Sequence, residues 1–405
     1  MNLKTIQKLL TDNAYTRTGG SAEELQCAKY IQDRCAEMGL QTTLEAFPVT
    51  MYENASATLT VDGKEIPCKG YFGSPTGTVK AKIFYLAGTD PISLSKCKGK
   101  IVLSDKPLGY RLYDKLVAHG ARGVITYSGN LFFSDHDIDQ KEYRFSTEGD
   151  KTLFGVNIHV SDAVEIVKNE CTWAEITVKQ TLTKGMSHNV ILDLDGECDE
   201  TVILSAHYDS TSLSTGVYDN MSGSVTLLYL AEYFSTHPHR RRLRFLWCGS
   251  EERGLIGSRE YCKMHEDELS NTVLNINLDM LGSIMGEFVI FACADDEMEK
   301  YLKRFAARCR YPASIRYAIR SSDSNSFLEC GVPAVSFARY ANASTALIHT
   351  SYDTMDVISV KRIRRDMEIV QKFTDLSLNS PDLMRPITIS EQIRSEVEEY
   401  MSRKL

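Results

Sequence analysis

Residues 201–209, "TVILSAHYD", form a short apolar run that ends on His207 and Asp209. Runs of this length, rich in β-branched side chains, predict buried strands. Two more follow the same plan: "LRFLWCGSEE" (243–252) ends on Glu251 and Glu252, and "TVLNINLD" (272–279) ends on Asp279. The segments between them, "SGSVTLLYLAEYFSTH" (222–237) and "GSREYCKMHEDE" (257–268), have helical character. A further helix, "DEMEKYLKRFAARC" (296–309), a strand, "AVSFAR" (334–339), and a last helix over about 358–378 complete the series. Strands alternating with helices of this length predict an α/β fold: a mixed, mostly parallel sheet flanked by helices on both faces.

Upstream, "HNVILDLD" (188–195) reads as another strand of that sheet. Residues 21–39 read as a helix, with Ser21 as N-cap, Glu24 three residues on as a capping-box partner, and Gly39 as terminator. A strand, "LQTTLEAF", follows. From about 50 to 180 the texture changes to short β-like segments such as "ASATLTV", "AKIFYLA", "GKIVLSD" and "RGVITYS", with one helix over Tyr110–His119. His119, His136 and His159 stand singly in this stretch and read as surface or core histidines. The end of the chain, "SEQIRSEVEEYMSRKL", is amphipathic, with Ile393, Val397, Tyr400 and Met401 on one helical face.

The chain has 405 residues, and ~150 residues per domain gives two or three structural units. Acidic residues exceed basic ones for a net charge of −8, which argues against a nucleic-acid partner. No window approaches the ~20 apolar residues of a membrane span, so no membrane association is expected. The eleven cysteines contain no Cys-x-x-Cys pair and fit a reducing compartment. Residues 1–20, with Lys4, Lys8, Asp12 and Arg17, do not read as a signal peptide, and a cytoplasmic location is expected. Homo-oligomer formation is left open.

The chemistry sits just past the apolar runs. In open α/β sheets, ligands bind outside the carboxyl ends of the strands. His207, Glu252 and Asp279 are therefore aimed at one crevice. Asp219, in "GVYDNMSG" before a helix, and His349, in the loop after "AVSFAR", can join them. Two imidazoles and three carboxylates suit zinc, with cobalt or manganese as substitutes. One zinc ion rarely uses five protein ligands. Two ions sharing a bridging carboxylate would use all five, with a water between them as nucleophile. A base that is not itself a ligand is then needed, and adjacent Glu251 and Glu252 can divide those tasks. Singly, each of these residues has a simpler reading as a helix cap, a solvated helix start or a packed loop histidine; their coincidence at strand ends favours a site.

Together "SAHYDS", "GVYDNMSGSVTLLYLAEYF", "FLWCGSEERGLIGS", "LNINLDMLG" and "IHTSYDT" resemble metallopeptidase family 28, the co-catalytic di-zinc aminopeptidases. The resemblance implies a zinc-peptidase-type fold and two Zn2+ ions (Co2+ or Mn2+ in their place). His207 and Asp279 would bind one ion, Glu252 and His349 the other, and Asp219 would bridge. Glu251 would be general base and acid, and Asp209 would orient His207. It also implies a cis peptide at Asp219–Asn220. The stretch "KGKIVL" (98–103), Lys115 and "GARGVITY" (120–127) is similar to a protease-associated domain inserted into the peptidase. The implied organisation is a discontinuous catalytic domain, 1–50 with 180–405, and a smaller β-rich insert, 51–179. The chain departs from the family at Ser324, where histidine is expected, and at Ile348, where tyrosine is expected. The function this implies is removal of the N-terminal residue from peptide substrates. A carboxypeptidase or dipeptidase of glutamate-carboxypeptidase type on the same site is the alternative, and a non-catalytic receptor-like binding protein is the third reading.

Overall fold

The computed structural model describes residues 1–144, 152–383 and 386–402. Two compact units emerge: 1–49 with 185–402, and 50–184. The first boundary falls one residue before the expected one, and the second lies at 184 instead of 179, inside the long strand Trp173–Leu194.

The sheet of the first unit runs in the order Ser314–Arg316, Glu287–Cys293, Ala334–Tyr340, Thr272–Leu278, Cys198–His207, Arg241–Cys248 and residues 190–194. The four strands from Ala334–Tyr340 to Arg241–Cys248 are parallel, and strand 190–194 is antiparallel to its neighbour. Glu287–Cys293 is antiparallel to Ala334–Tyr340, so the sheet is mixed and mostly parallel. Helix Ser222–Phe234 is buried almost all round, as its continuous apolar sequence requires. It is tied to two strands by Ser224, whose hydroxyl donates to the His207 carbonyl (2.8 Å) and whose carbonyl accepts from Trp247 Nε1 (3.0 Å).

The strands Glu287–Cys293 and Ser314–Arg316 and the helices Leu3–Asp12 and Ser324–Glu329 carry no expectation from sequence. Glu287–Cys293 is also followed by an acidic pair, Asp295 and Asp296, but Asp295 caps helix Asp296–Arg308. In Leu3–Asp12, charges at Lys4, Lys8 and Asp12 mask the buried stripe Ile6, Leu9 and Leu10. The final helix, Glu391–Met401, buries Ile393, Val397 and Met401; residues 403–405 of the expected amphipathic segment lie outside the described residues.

In the second unit, strands Gly77–Leu86, Ile101–Ser104, Gly123–Ser128 and Phe154–His159 are parallel in that order, and Cys68–Gly70 closes the edge antiparallel. Ile101, Leu103, Ile125, Val156 and Ile176 fill its core. His136 and His159 do not stand singly: their Nδ1 atoms are 3.3 Å apart and their rings pack edge to face.

Candidate metal centre

Each parallel strand delivers a polar group to the same edge of the sheet. Strand Cys198–His207 ends on His207, and Asp209 lies two residues beyond. After Arg241–Cys248 the chain turns through Ser250 at φ 54°, a left-handed conformation that starts the short turn holding Glu251 and Glu252. Asp279 follows Thr272–Leu278, and His349 lies nine residues past the end of Ala334–Tyr340. Asp219 stands just before helix Ser222–Phe234, and the Asp219–Asn220 peptide is cis. Ser250, Leu255, Met280 and His349 all have positive φ without being glycine. Each is His349 itself or lies within three residues of Glu252 or Asp279. Such conformations cost about 1–3 kcal/mol each and cluster at functional sites.

The five candidate ligands converge as two overlapping triplets, His207–Asp219–Asp279 and Asp219–Glu252–His349, with donor atoms in each set within 4.8 Å of one another. His207 Nε2 is 3.3 Å from Asp219 Oδ1 and 3.8 Å from Asp279 Oδ1. His349 Nε2 is 3.2 Å from Asp219 Oδ2 and 3.0 Å from Glu252 Oε1. The two carboxylate oxygens of Asp219 thus face different imidazoles. Glu251 Oε2 lies 4.0 Å from His207 Nε2 and belongs to neither triplet.

Surrounding groups hold this arrangement. Asp209 Oδ1 is 3.3 Å from His207 Nδ1, and its two oxygens also accept the backbone N–H of Glu251 (3.0 Å) and Glu252 (3.1 Å). One buried carboxylate therefore fixes a histidine and the adjacent glutamates. Asp353 accepts from the backbone N–H of Tyr218 (2.7 Å) and Asp219 (3.1 Å). Ser322 donates to Asp279 Oδ2 at 2.8 Å.

Two supports from the start of the chain are not announced by the sequence. Arg17, fully buried, donates to the carbonyls of Asn13, Tyr15, Tyr208, Thr215 and Gly216, clamping the end of the His207 strand to the loop before Asp219. Glu24 is not the capping-box partner of Ser21. Ser21 Oγ does accept from Glu24 N (3.0 Å), but the Glu24 carboxylate accepts from Gly20 N (2.7 Å), Ser187 Oγ (2.8 Å) and Ser250 N (2.9 Å). A cap at Ser21 accounted for Glu24 locally, and nothing at positions 17–24 signals contacts near residues 208 and 250.

The electrostatics call for cations. His207, Asp219, Glu252 and Asp279 are buried, and carboxylates cannot be stored in a dry site without countercharge. Burial disfavours the His207 imidazolium, yet Glu251, Asp209, Asp219 and Asp279 outweigh it and lift its pKa well above the usual range. Burial also opposes the His349 imidazolium, and Glu252 and Asp219 likewise lift it. Asp219 is held below the usual carboxylate range; burial works against this, but both imidazoles prevail. Burial pushes Glu251 well above its usual value; His207 opposes, and Glu252, Asp323 and Asp279 reinforce. Burial and the neighbouring Asp219 charge bring Asp353 to about 6. Asp279 Oδ1 has no hydrogen-bond partner among the described residues. Imidazole nitrogens and carboxylate oxygens crowded in this way form a donor set that fits zinc.

The sheet and its donor set define an α/β protein with a candidate two-metal centre at the carboxyl edge of its parallel strands. Residues 189–374, just under half of the chain, match the model of peptidase family M28. Aminopeptidase YwaD of Bacillus subtilis is 25% identical over 403 residues, covering 94% of this chain and 85% of that protein. Leucine aminopeptidase 2 of Trichophyton rubrum is 26% identical over 284 residues, 65% of this chain, and that match spans about half (54%) of the fungal protein. Among solved structures, the zinc aminopeptidase BSAP from Bacillus subtilis superimposes with a TM-score of 0.77 at 24% identity, covering 96% of this chain and 97% of that one. The aminopeptidase from Aneurinibacillus sp. strain AM-1 gives 0.74 at 23%, covering 93% and 94%. At these identities the structural likeness establishes the fold.

Proposed function

We propose that the protein is a two-zinc aminopeptidase that removes the N-terminal residue from peptides, with Glu251 as general base and acid. The observation that carries this reading is the pair of triplets sharing Asp219, with a non-ligand glutamate beside them. The relatives named above, aminopeptidases by name, support it. His207 and Asp279 would hold one ion, Glu252 and His349 the other, and Asp219 both. Bound zinc supplies Lewis acidity, which polarises a substrate carbonyl and makes water easier to deprotonate.

The chain's own groups do the rest. Glu251 takes a proton from water and delivers it to the departing amine; burial raises its proton affinity, which suits the second task. Asp209 keeps His207 and the Glu251–Glu252 turn in register, and Asp353 anchors the backbone that presents Asp219. The reading extends to the 50–184 unit as a protease-associated module, on strands Ile101–Ser104 and Gly123–Ser128, and to a reducing, cytoplasmic setting, in keeping with eleven free cysteines.

The test is Glu251→Gln, assayed by single-turnover cleavage of a peptide with a free N-terminus and by metal content. A kcat loss of roughly 10²–10⁴-fold with both metals retained is expected; near-normal turnover refutes the assignment. An N-acetylated peptide should resist cleavage and a C-terminal amide should not matter. The reverse pattern would establish the carboxypeptidase reading, which Arg320 could serve. That guanidinium, however, already stacks over Tyr340 (4.3 Å) and lies 3.5 Å from Asp279.

A further inference from the structure

Helices Ile256–Met264 and Ser324–Glu329 pack side by side, and their contacts repeat by turns. Ser258 and Ser326 share a hydrogen bond of 2.8 Å. The rings of Tyr261 and Phe327 pack 5.9 Å apart. One turn beyond the serines come Cys262 on the first helix and Cys330, the C-cap, on the second. Residues four apart share a helical face, so this spacing brings the two thiols together. Each thiol is the largest influence on the other's ionisation, Cys262 being buried and Cys330 exposed.

We propose that Cys262 and Cys330 are an oxidant-responsive dithiol pair that closes reversibly to a disulfide. The division of labour follows from their surroundings. Cys330 is open to solvent, and the hydrogen bond from Cys262 lowers its pKa, which favours the nucleophilic thiolate. Cys262 is held up in pKa, first by that same bond and then by burial, which suits a resolving thiol that waits in its protonated form.

With hydrogen peroxide as the oxidant, the Cys330 thiolate attacks one peroxide oxygen. An S–O bond forms, the O–O bond breaks, and hydroxide leaves to take up the proton Cys330 released. Cys262 sulfur then attacks the sulfenic sulfur: the S–S bond forms, the S–O bond breaks, and the Cys262 proton departs with the hydroxyl as water. Two thiols lose two electrons and two protons, and one peroxide becomes two waters. The other nine cysteines serve as internal controls.

The bond would join the C-terminal ends of two helices whose N-terminal ends adjoin the Glu251–Glu252 turn and Asp323. Redox state would thus act on the framework of the metal centre without touching a ligand. The experiment exposes the purified, metal-loaded protein to hydrogen peroxide, blocks free thiols with iodoacetamide, and maps linked peptides by mass spectrometry without reduction. A Cys262–Cys330 peptide is expected as the dominant crosslink, abolished by dithiothreitol. In Cys262→Ser no such peptide forms, and the sulfenic acid on Cys330, trapped with dimedone, rises about tenfold over wild type because its resolving partner is gone. Should that core variant fail to fold, the exposed Cys330→Ser serves instead: it must lose the crosslink and leave Cys262 unoxidised. Wild-type protein in which Cys330 is oxidised without a link to Cys262, or in which other cysteine pairs crosslink equally, overturns the proposal.

Discussion

Arg339 and Asp366 form a fully enclosed ion pair beside the loop that follows Asp279, and removing one partner offers the sharpest test of how that loop is held. Arg339 Nε donates to Asp366 Oδ2 at 2.9 Å and Nη2 to Oδ1 at 2.7 Å, with both side chains buried. Asp366 also accepts from Gly282 N at 3.0 Å and from the Tyr311 hydroxyl, while Arg339 Nη1 donates to the Gly286 carbonyl at 3.0 Å. Asp366→Leu would strand a buried guanidinium and one backbone N–H, an expected cost of about 3–5 kcal/mol. Arg339→Met would strand the carboxylate at similar cost. The double variant Arg339→Met/Asp366→Leu removes both charges and leaves the Gly282 N–H and Gly286 carbonyl without these partners, at about 1–3 kcal/mol each. The sum of the singles, about 6–10 kcal/mol, should thus exceed the double, about 2–6 kcal/mol, by roughly 4 kcal/mol. Urea unfolding of the four proteins measures this coupling directly. Additivity within about 0.5 kcal/mol would show that the pair does not act as a unit and would refute the reasoning.

Metal binding should release protons: His207 and His349 are held protonated above their usual range without metal and must be neutral as ligands, so calorimetric heats in buffers of different ionisation enthalpy should diverge at pH 7. Equal heats would contradict the site. The metal-free protein should lose stability as pH rises from about 4 to 8. Asp353 (about 6) and Glu24 (about 8) have folded pKa values above their unfolded ones, so the native state binds more protons in that window; Glu24→Gln should flatten the upper part of the slope in urea titrations. Arg17→Lys keeps the charge but loses the planar fork to five carbonyls, and activity should fall about tenfold or more with a lower melting temperature. Unchanged kcat would show that the clamp does not position the site. Gly249→Ala would place a methyl 2.4 Å from the His188 carbonyl, so the Glu251–Glu252 turn must shift, and a lower kcat with a lower melting temperature is expected.

The parallel strands were legible in sequence because each is an apolar run that stops at a polar group. That signal carries both the strand and its function, and it led to His207, Glu252 and Asp279 together. Glu287–Cys293 carries the same signal, an apolar run followed by Asp295 and Asp296, but it runs antiparallel and Asp295 serves as a helix cap, so the signal does not by itself identify a ligand. Asp209, visible as a residue two past His207, has a wider role in space than in sequence, since it also holds two backbone amides 42 and 43 residues away. Arg17 and Glu24 were hidden for the opposite reason. Their local surroundings supply an adequate account of each, and only the folded chain shows partners 163 to 226 residues downstream. The His136–His159 contact is of the same kind: two histidines 23 residues apart give no periodic signal.

The Arg17 clamp also bears on how the protein is made. A ribosome adds roughly 5–20 residues per second, so Arg17 emerges about 10–40 s before the carbonyls of Tyr208, Thr215 and Gly216 that will enclose it. Until then the first helices of the catalytic unit have no sheet to pack against, and the guanidinium must stay in water. His349 arrives later still. The metal centre therefore cannot assemble on a half-made chain, and under the proposed function the enzyme would stay inert until its synthesis is nearly complete.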